Sequence, residues 1–440
     1  MSQRSYALPT ETGGSSGPAD RAAARAYERR PRKVGQLPAA LVLHFMVLAP
    51  FIESARVGPV SIGRLIAAVA VATLVAQLAF TRWRPHRLAP VSWLPPALFA
   101  AWALASGLWA AHHASWLFAM GQISLALAYF VAFAFLVTDA AQVRPLLRTY
   151  TIAAVASAGL GAVQFADQAR ATGLQGDPNL YSLYLVAAIP AALALASGAN
   201  PRRRWWLAAL VPMLAGVVAA QSRGAVVATV VVLVYLGARG GMRGGRPARA
   251  LPGLVMALIA VGGLLWAASN LSDRFDPSRV EEDRASGRLD IWHVALRAYQ
   301  DHPALGLGAG NFKPESIQLL TDEPGVEIIE GHLLELSGIQ VHNVYLETLS
   351  ELGPLGAALF VATVVVAVVG LGAAARMSPS RPELAALMPM LLAYAAGATF
   401  LSIINSKLLW LLVGTAAGLL AASPAGARGD SELEISHRTL

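Results

Sequence analysis

The 440-residue chain contains no cysteine, which excludes a disulfide framework, a thiolate nucleophile and any Cys-ligated metal. Charge is also scarce, with Asp, Glu, Lys and Arg making up 14% of residues against 56% hydrophobic ones. Mean hydropathy is +0.53. A soluble domain of this length needs more solvated surface, so the composition marks an integral membrane protein. The alternating pattern of an outer-membrane barrel is missing. So is any repeat of fixed period or correspondence between halves of the kind that many transporters show.

What is present is a series of apolar runs of roughly 17–25 residues, the length a spanning helix requires. Twelve spans are expected near 37–52, 60–80, 93–111, 115–137, 146–165, 179–197, 205–220, 224–238, 251–270, 343–373, 383–401 and 407–422, the tenth interrupted at Gly353-Pro354. The fold class is therefore all-α, a polytopic membrane bundle of about twelve helices with one large loop containing short helices. Residues 1–36 are polar and read as a disordered tail, 37–270 carry the first nine helices, 271–342 the large loop, 343–422 the last three helices and 423–440 a second tail.

The net charge of +8 is an orientation signal rather than a nucleic-acid surface, because the arginines separate by loop. One set holds Arg82, Arg84, Arg87, Arg144, Arg148, Arg202, Arg203, Arg204, Arg239, Arg243, Arg246, Arg249, Arg376 and Arg381; the short loops of the other hold only Arg56, Arg170, Arg223 and Lys407. By the positive-inside rule the first set is cytoplasmic together with both termini, and the large loop faces outward. In that loop, RLDIWHVALRAYQ (288–300) places Leu289, Trp292, Leu296 and Tyr299 at helical spacing, predicting an amphipathic helix on the membrane surface or over the bundle. The stretch at 322–338 predicts a second short helix or a lid loop.

The polar residues on the outer side are few. In GLQGDPNLYS (173–182) the Gly and Asp-Pro residues signal a turn, and Asn179 is placed to cap the next helix; a substrate-contacting loop containing Asp177 and Asn179 is the functional alternative. Arg223 stands in almost no loop at all, either snorkelling to lipid phosphate or binding an anionic group through its planar donor fork. Arg288 opens the amphipathic helix, where the helix dipole disfavours a cation and favours an anion beside it. His342 sits where the large loop re-enters the bilayer and is suited to act as a base near neutral pH. Asn343, Glu347 and Glu351 follow at intervals that put them on one helix face. Lys407 would add positive charge to an outer anion site. The pair His112-His113 lacks partners at metal-ligand spacing, and no metal or other cofactor is expected.

Taken together, QSRGA (221–225), GRLDIWHVALRAYQDHPALGLGAGNF (287–312) and HNVYLETLSELGPLG (342–356) resemble the bacterial O-antigen ligase and polymerase superfamily. The resemblance implies a GT-C-like bundle in the bacterial inner membrane. Its implied activity is en bloc transfer of a glycan from a polyprenyl (undecaprenyl) diphosphate carrier to an acceptor hydroxyl on the periplasmic side. It also implies that Arg223 and Arg288 hold the diphosphate and that His342 activates the acceptor; Asn343, Glu347, Asp177, Asn179 and Lys407 are expected from their outer-side positions to contact substrate. The implied partners are the lipid-linked donor, a lipid A-core or glycan acceptor, and membrane lipid, with no nucleic acid. Ligase, polymerase and protein O-oligosaccharyltransferase share this chemistry; a flippase for a lipid-linked sugar is the alternative from another class.

Overall fold

The computed structural model describes residues 36–52, 55–57, 60–80, 88–167, 170–197, 200–243, 288–321 and 338–421. The expected span at 251–270, both tails and the stretch at 322–337 lie outside them. Among the described residues the chain is helical apart from a hairpin of two-residue strands, β1 (Arg56–Val57) and β2 (Val60–Ser61).

The helices are α1 (Gln36–Leu48), α2 (Ile62–Phe80), α3 (Pro90–Ala105), α4 (His113–Leu136), α5 (Ala140–Asp167), α6 (Pro178–Ala196), α7 (Arg203–Ala208), α8 (Leu210–Ala219), α9 (Arg223–Arg243), α10 (Arg288–Asp301), α11 (Phe312–Thr321), α12 (Val344–Met377), α13 (Pro382–Gly397) and α14 (Lys407–Ala421). Among the described residues, five segments are long and apolar enough to cross a membrane: Pro90–Leu108, His113–Leu136, Ala140–Ala166, Pro178–Ala196 and Val344–Met377. Shorter apolar helices run over Ala39–Ile52, Pro382–Gly397 and Lys407–Ala421. The expected span at 205–220 is instead two helices, α7 and α8, and Arg144 and Arg148 lie inside α5 rather than in a loop.

At the centre of the bundle, α14 is buried along nearly its whole length, with Trp410 fully enclosed. Gly414 and Gly418 let it approach α4 closely, since a Cβ on Gly414 would meet the Phe130 carbonyl oxygen at 2.5 Å. Small residues four apart are the usual device for close helix contact where no hydrophobic effect drives association.

Connections between successive helices alternate between two ends of the bundle. At one end lie 109–112, 170–177, 220–222, the segment leading into α12, and 398–406; backbone hydrogen bonds tie these together, from Ala171 N–H to the Ala219 carbonyl (3.0 Å) and from Val344 N–H to the Ala398 carbonyl (2.9 Å). At the other end Arg144 donates to the Leu195 carbonyl (3.4 Å) and, with Arg381, pairs with the buried Glu383 (3.6 and 3.8 Å).

A cap sits on the first end. Ile291, Val294, Ala295 and Ala298 of α10, Phe312 and Leu320 of α11, and Ile339 and Val341 form a hydrophobic cluster separate from the bundle core. The face of α10 turned to the cap core carries Ile291, Val294, Ala295 and Ala298, with Trp292 partly buried against it, while Leu289 and Leu296 of the expected apolar face are exposed, at 50% and 39%.

Candidate functional site

The site forms where three chain entries meet the turn between α13 and α14 and a further one, the turn before α6, is fastened to them. The first is the start of α12. Asn343 caps it, its side-chain oxygen accepting from the N–H groups of Tyr345 (3.0 Å) and Leu346 (3.1 Å), which satisfies donors that a helix start leaves open. Just before this cap His342 has φ of 53°, in the left-handed region. A side chain held there costs about 1 kcal/mol or more and persists only when its surroundings enforce it. Here Ser402 supplies the restraint: its hydroxyl oxygen accepts from the His342 N–H at 3.0 Å, and its side chain lies beside the Glu347 carboxyl group. Glu347 Oε2 is buried with no hydrogen-bond partner among the described residues.

The second entry is the start of α9. Ser222 is buried and its oxygen accepts from the Ala225 N–H at 3.3 Å, with Arg223 as the first helical residue. Gln221, immediately upstream, has φ of 49°; among the described residues it and His342 are the two non-glycine residues in the left-handed region. Gly224 faces Phe400, where an added Cβ would come within 3.0 Å of the Phe400 Cβ.

The third entry is the turn before α6. Asp177 is its cap, accepting from the Leu180 N–H at 2.7 Å with Pro178 as the first helical residue. This corrects the expectation that Asn179 caps the helix. A proline at the first helical position already fixes the start, so the cap falls on the residue before it. Asn179 instead accepts from Arg170 (3.3 Å), which also donates to the carbonyls of Ala220 (2.9 Å) and Gln221 (3.5 Å). Arg170 thus fastens the α6 entry to the strained turn before Arg223.

The fourth entry is the cap, which reaches the same turn through Trp292, whose ring lies 6.3 Å from that of Phe400. Arg288 is the first residue of α10 and is half-buried. The His342 imidazole is pushed below its ordinary pKa of 6.5 by burial first and then by the Arg288 cation, with Lys313 adding to the effect and Asp177 opposing it. A neutral, partly desolvated imidazole flanked by cations and one carboxylate is ready to take a proton near neutral pH.

The cap is held by an arrangement inside α12. Gly353 has φ of 65° and Pro354 follows it, so the helix breaks there. Pro354 has no N–H to offer the Ser350 carbonyl, and the carbonyls of 350–352 must find other donors. Leu307 N–H takes Ser350 (2.9 Å), Gly308 N–H takes Glu351 (2.7 Å) and the Trp102 indole N–H takes Leu352 (2.9 Å). The Glu351 carboxyl oxygens in turn accept from the N–H groups of Gly310 (2.7 Å) and Phe312 (3.1 Å). Glu351 therefore binds the glycine-rich loop, while Glu347, one turn earlier on the same helix, reaches Ser402. The three glycines of that loop, at 306, 308 and 310, all have positive φ. At Gly310 a Cβ would also meet the Ser115 carbonyl oxygen at 2.7 Å.

His342, Asn343 and Glu347 are thus brought together, with Arg288 and Asp177 acting on the imidazole and Arg223 and Asn179 joined through the neighbouring turns. Lys407 is buried at the start of α14, and a Cβ on Gly63 would lie 3.7 Å from its Cε, on the α1–α2 side of the same end. His112 leaves the site altogether, pairing with Glu315 of α11 at 2.9 Å. Among the described residues no group of three or more His, Cys, Asp or Glu is placed to hold a metal. Ser402 and Lys313 did not emerge from the sequence, and Arg170 did so only as an outer-side charge. Ser402 and Arg170 act from short turns distant in sequence, and Lys313 lies in α11, a helix whose FKPES start carried no strong helical pattern.

These features define a helical membrane protein with a cationic, histidine-bearing site at one end of its bundle. Residues 208–361 match the Wzy_C family, described as O-antigen ligase. That match supports the O-antigen ligase and polymerase superfamily, and with it an enzyme type that transfers glycans from a lipid-linked donor to a glycan acceptor. The matched segment contains Arg223, Arg288, His342, Asn343 and Glu347, while Asp177, Asn179, Ser402 and Lys407 lie outside it. No curated protein matches the chain.

Proposed function

We propose that the protein transfers a glycan en bloc from a polyprenyl diphosphate carrier to an acceptor hydroxyl, as an O-antigen ligase acting on lipid A-core or as a related surface-polysaccharide polymerase, at the periplasmic face of the inner membrane. The observation that carries this reading is the convergence of His342, Arg288 and Asp177 beside the turn that also receives the start of α9 with Arg223. In the reaction the acceptor oxygen forms a bond to the anomeric carbon, and the bond from that carbon to the diphosphate oxygen breaks. The hydroxyl proton passes to the neutral His342 imidazole, general-base assistance typically contributing roughly 10²–10⁴-fold. Negative charge builds on the departing diphosphate, where Arg223 and Arg288 are suited to receive it through planar donor forks. Asn343 holds the backbone that presents His342, and Glu347 Oε2 offers an acceptor to a sugar hydroxyl. Asp177 and Asn179 line the neighbouring entry, and Lys407 adds a cation at the same end.

The test is transfer from a labelled polyprenyl diphosphate glycan by purified protein. Arg223→Ala and His342→Ala are expected to lose product formation while remaining folded; unimpaired transfer by either removes that residue from the mechanism. A covalent glycan product also separates this reading from a flippase, which moves the lipid without making a bond.

A further inference from the structure

The two ends of α6 are capped by Asp177 and by Ser197, and the second, opposite the site described above, carries a feature that glycan transfer does not use. A groove of about 320 Å³ runs between α5 and the α7–α8 junction, walled by Ile152 and Val155 on one side and by Trp205, Trp206 and Ala209 on the other, with Arg202 at its rim. Thr151 also lines it, but its hydroxyl is committed to the Leu147 carbonyl at 2.8 Å, so it adds no free polar group. Ile152 and Trp205 are 60% and 64% exposed, an apolar surface open to lipid on a helix of membrane-spanning character.

Above the groove stand three consecutive exposed arginines, Arg202, Arg203 and Arg204, and among the described residues no carboxylate pairs with them. Arg204 lies over the Trp205 ring at 5.3 Å, which directs that cation along the groove wall. An apolar slot with a cationic rim, on helices of membrane-spanning character, is complementary to a molecule with a hydrocarbon chain and an anionic phosphate.

We infer that this groove is a binding site for an anionic glycerophospholipid, one acyl chain lying against Ile152, Val155 and Trp206 and the phosphate held by Arg202 and Arg203. The rim supplies the selectivity and the slot the saturability, which separates the site from the general lipid annulus.

The test uses the full chain in nanodiscs of phosphatidylcholine, titrated with brominated phosphatidylglycerol or brominated phosphatidylcholine while tryptophan emission is followed. A variant with Trp205→Phe and Trp206→Phe defines the share of quenching that belongs to the groove. Saturable quenching by phosphatidylglycerol, weaker for phosphatidylcholine, is expected. Arg202→Gln with Arg203→Gln is expected to weaken the anionic lipid by roughly 5–30-fold and leave the zwitterionic one unchanged. Ile152→Trp fills the slot and is expected to abolish saturable quenching with all three arginines in place. Equal quenching by both lipids, or no response to the arginine pair, overturns the proposal. None of these positions belongs to the glycan-transfer site, so the outcome is independent of that reading.

Discussion

Replacing Ser402 with alanine tests how the His342 imidazole is held. The single hydroxyl accepts from the His342 N–H at 3.0 Å and lies beside the Glu347 carboxyl group. Its removal leaves a half-buried backbone donor without an acceptor, a loss of about 1–3 kcal/mol. That is comparable to the cost of about 1 kcal/mol or more of keeping His342 at φ of 53°. The restraint and the strain are thus nearly matched, and the variant backbone is expected to relax out of the left-handed region and swing the imidazole. Because a displacement of about 1 Å in a reacting group can cost about 10²-fold, kcat for glycan transfer is expected to fall roughly 10–100-fold with little change in KM. Ser402→Thr retains the hydroxyl and is expected to recover most of the rate. The assay is initial-rate transfer from a labelled lipid-linked donor, with thermal unfolding run alongside. If Ser402→Ala folds and turns over like the parent, this reasoning about His342 is wrong.

Four further outcomes are expected. Since burial and neighbouring cations lower the His342 pKa below 6.5, the acid limb of kcat/KM lies below that pH; Lys313→Gln moves it up and Asp177→Asn, which keeps a capping side chain, moves it down. The same depression means that the folded state binds fewer protons than the unfolded one, so its contribution to stability is complete above about pH 6.5 and is lost as pH falls from there through the lowered folded-state value, as unfolding at stepped pH will show. Glu351→Ala removes the acceptor of two backbone N–H groups and is expected to lower the unfolding temperature and loosen the cap, read as faster amide exchange at Gly310 and Phe312, with hydrogen bonds of this kind contributing about 0.5–1.5 kcal/mol each. In this cysteine-free chain, a single cysteine at His113 is expected to react with an impermeant thiol reagent added outside intact cells and one at Arg203 only after permeabilisation, and the reverse pattern would invert the proposed orientation.

Much of the bundle was legible because hydrophobic length is a local property. The starts of α6, α12 and α14, at Pro178, Val344 and Lys407, fall within a residue of the expected spans at 179, 343 and 407, and the break at Gly353-Pro354 lies where a residue without an N–H must interrupt a helix. Local pattern was silent where the deciding contact was distant: α10 turns Ile291 and Val294 inward because 338–341 and α11 pack there.

The sequence by itself determined membrane character, the helical class and a short set of polar residues sharing one end of the bundle, because composition, run length and charge sign need no partner to be read. Only the tertiary structure decided how those residues are held: His342 strained against Ser402, Arg170 joining Asn179 to the turn before Arg223, and Glu351 serving the glycine loop. Each of these depends on hydrogen bonds between turns far apart in the chain, and such distances are set when helices pack, not by the residues on either side of them.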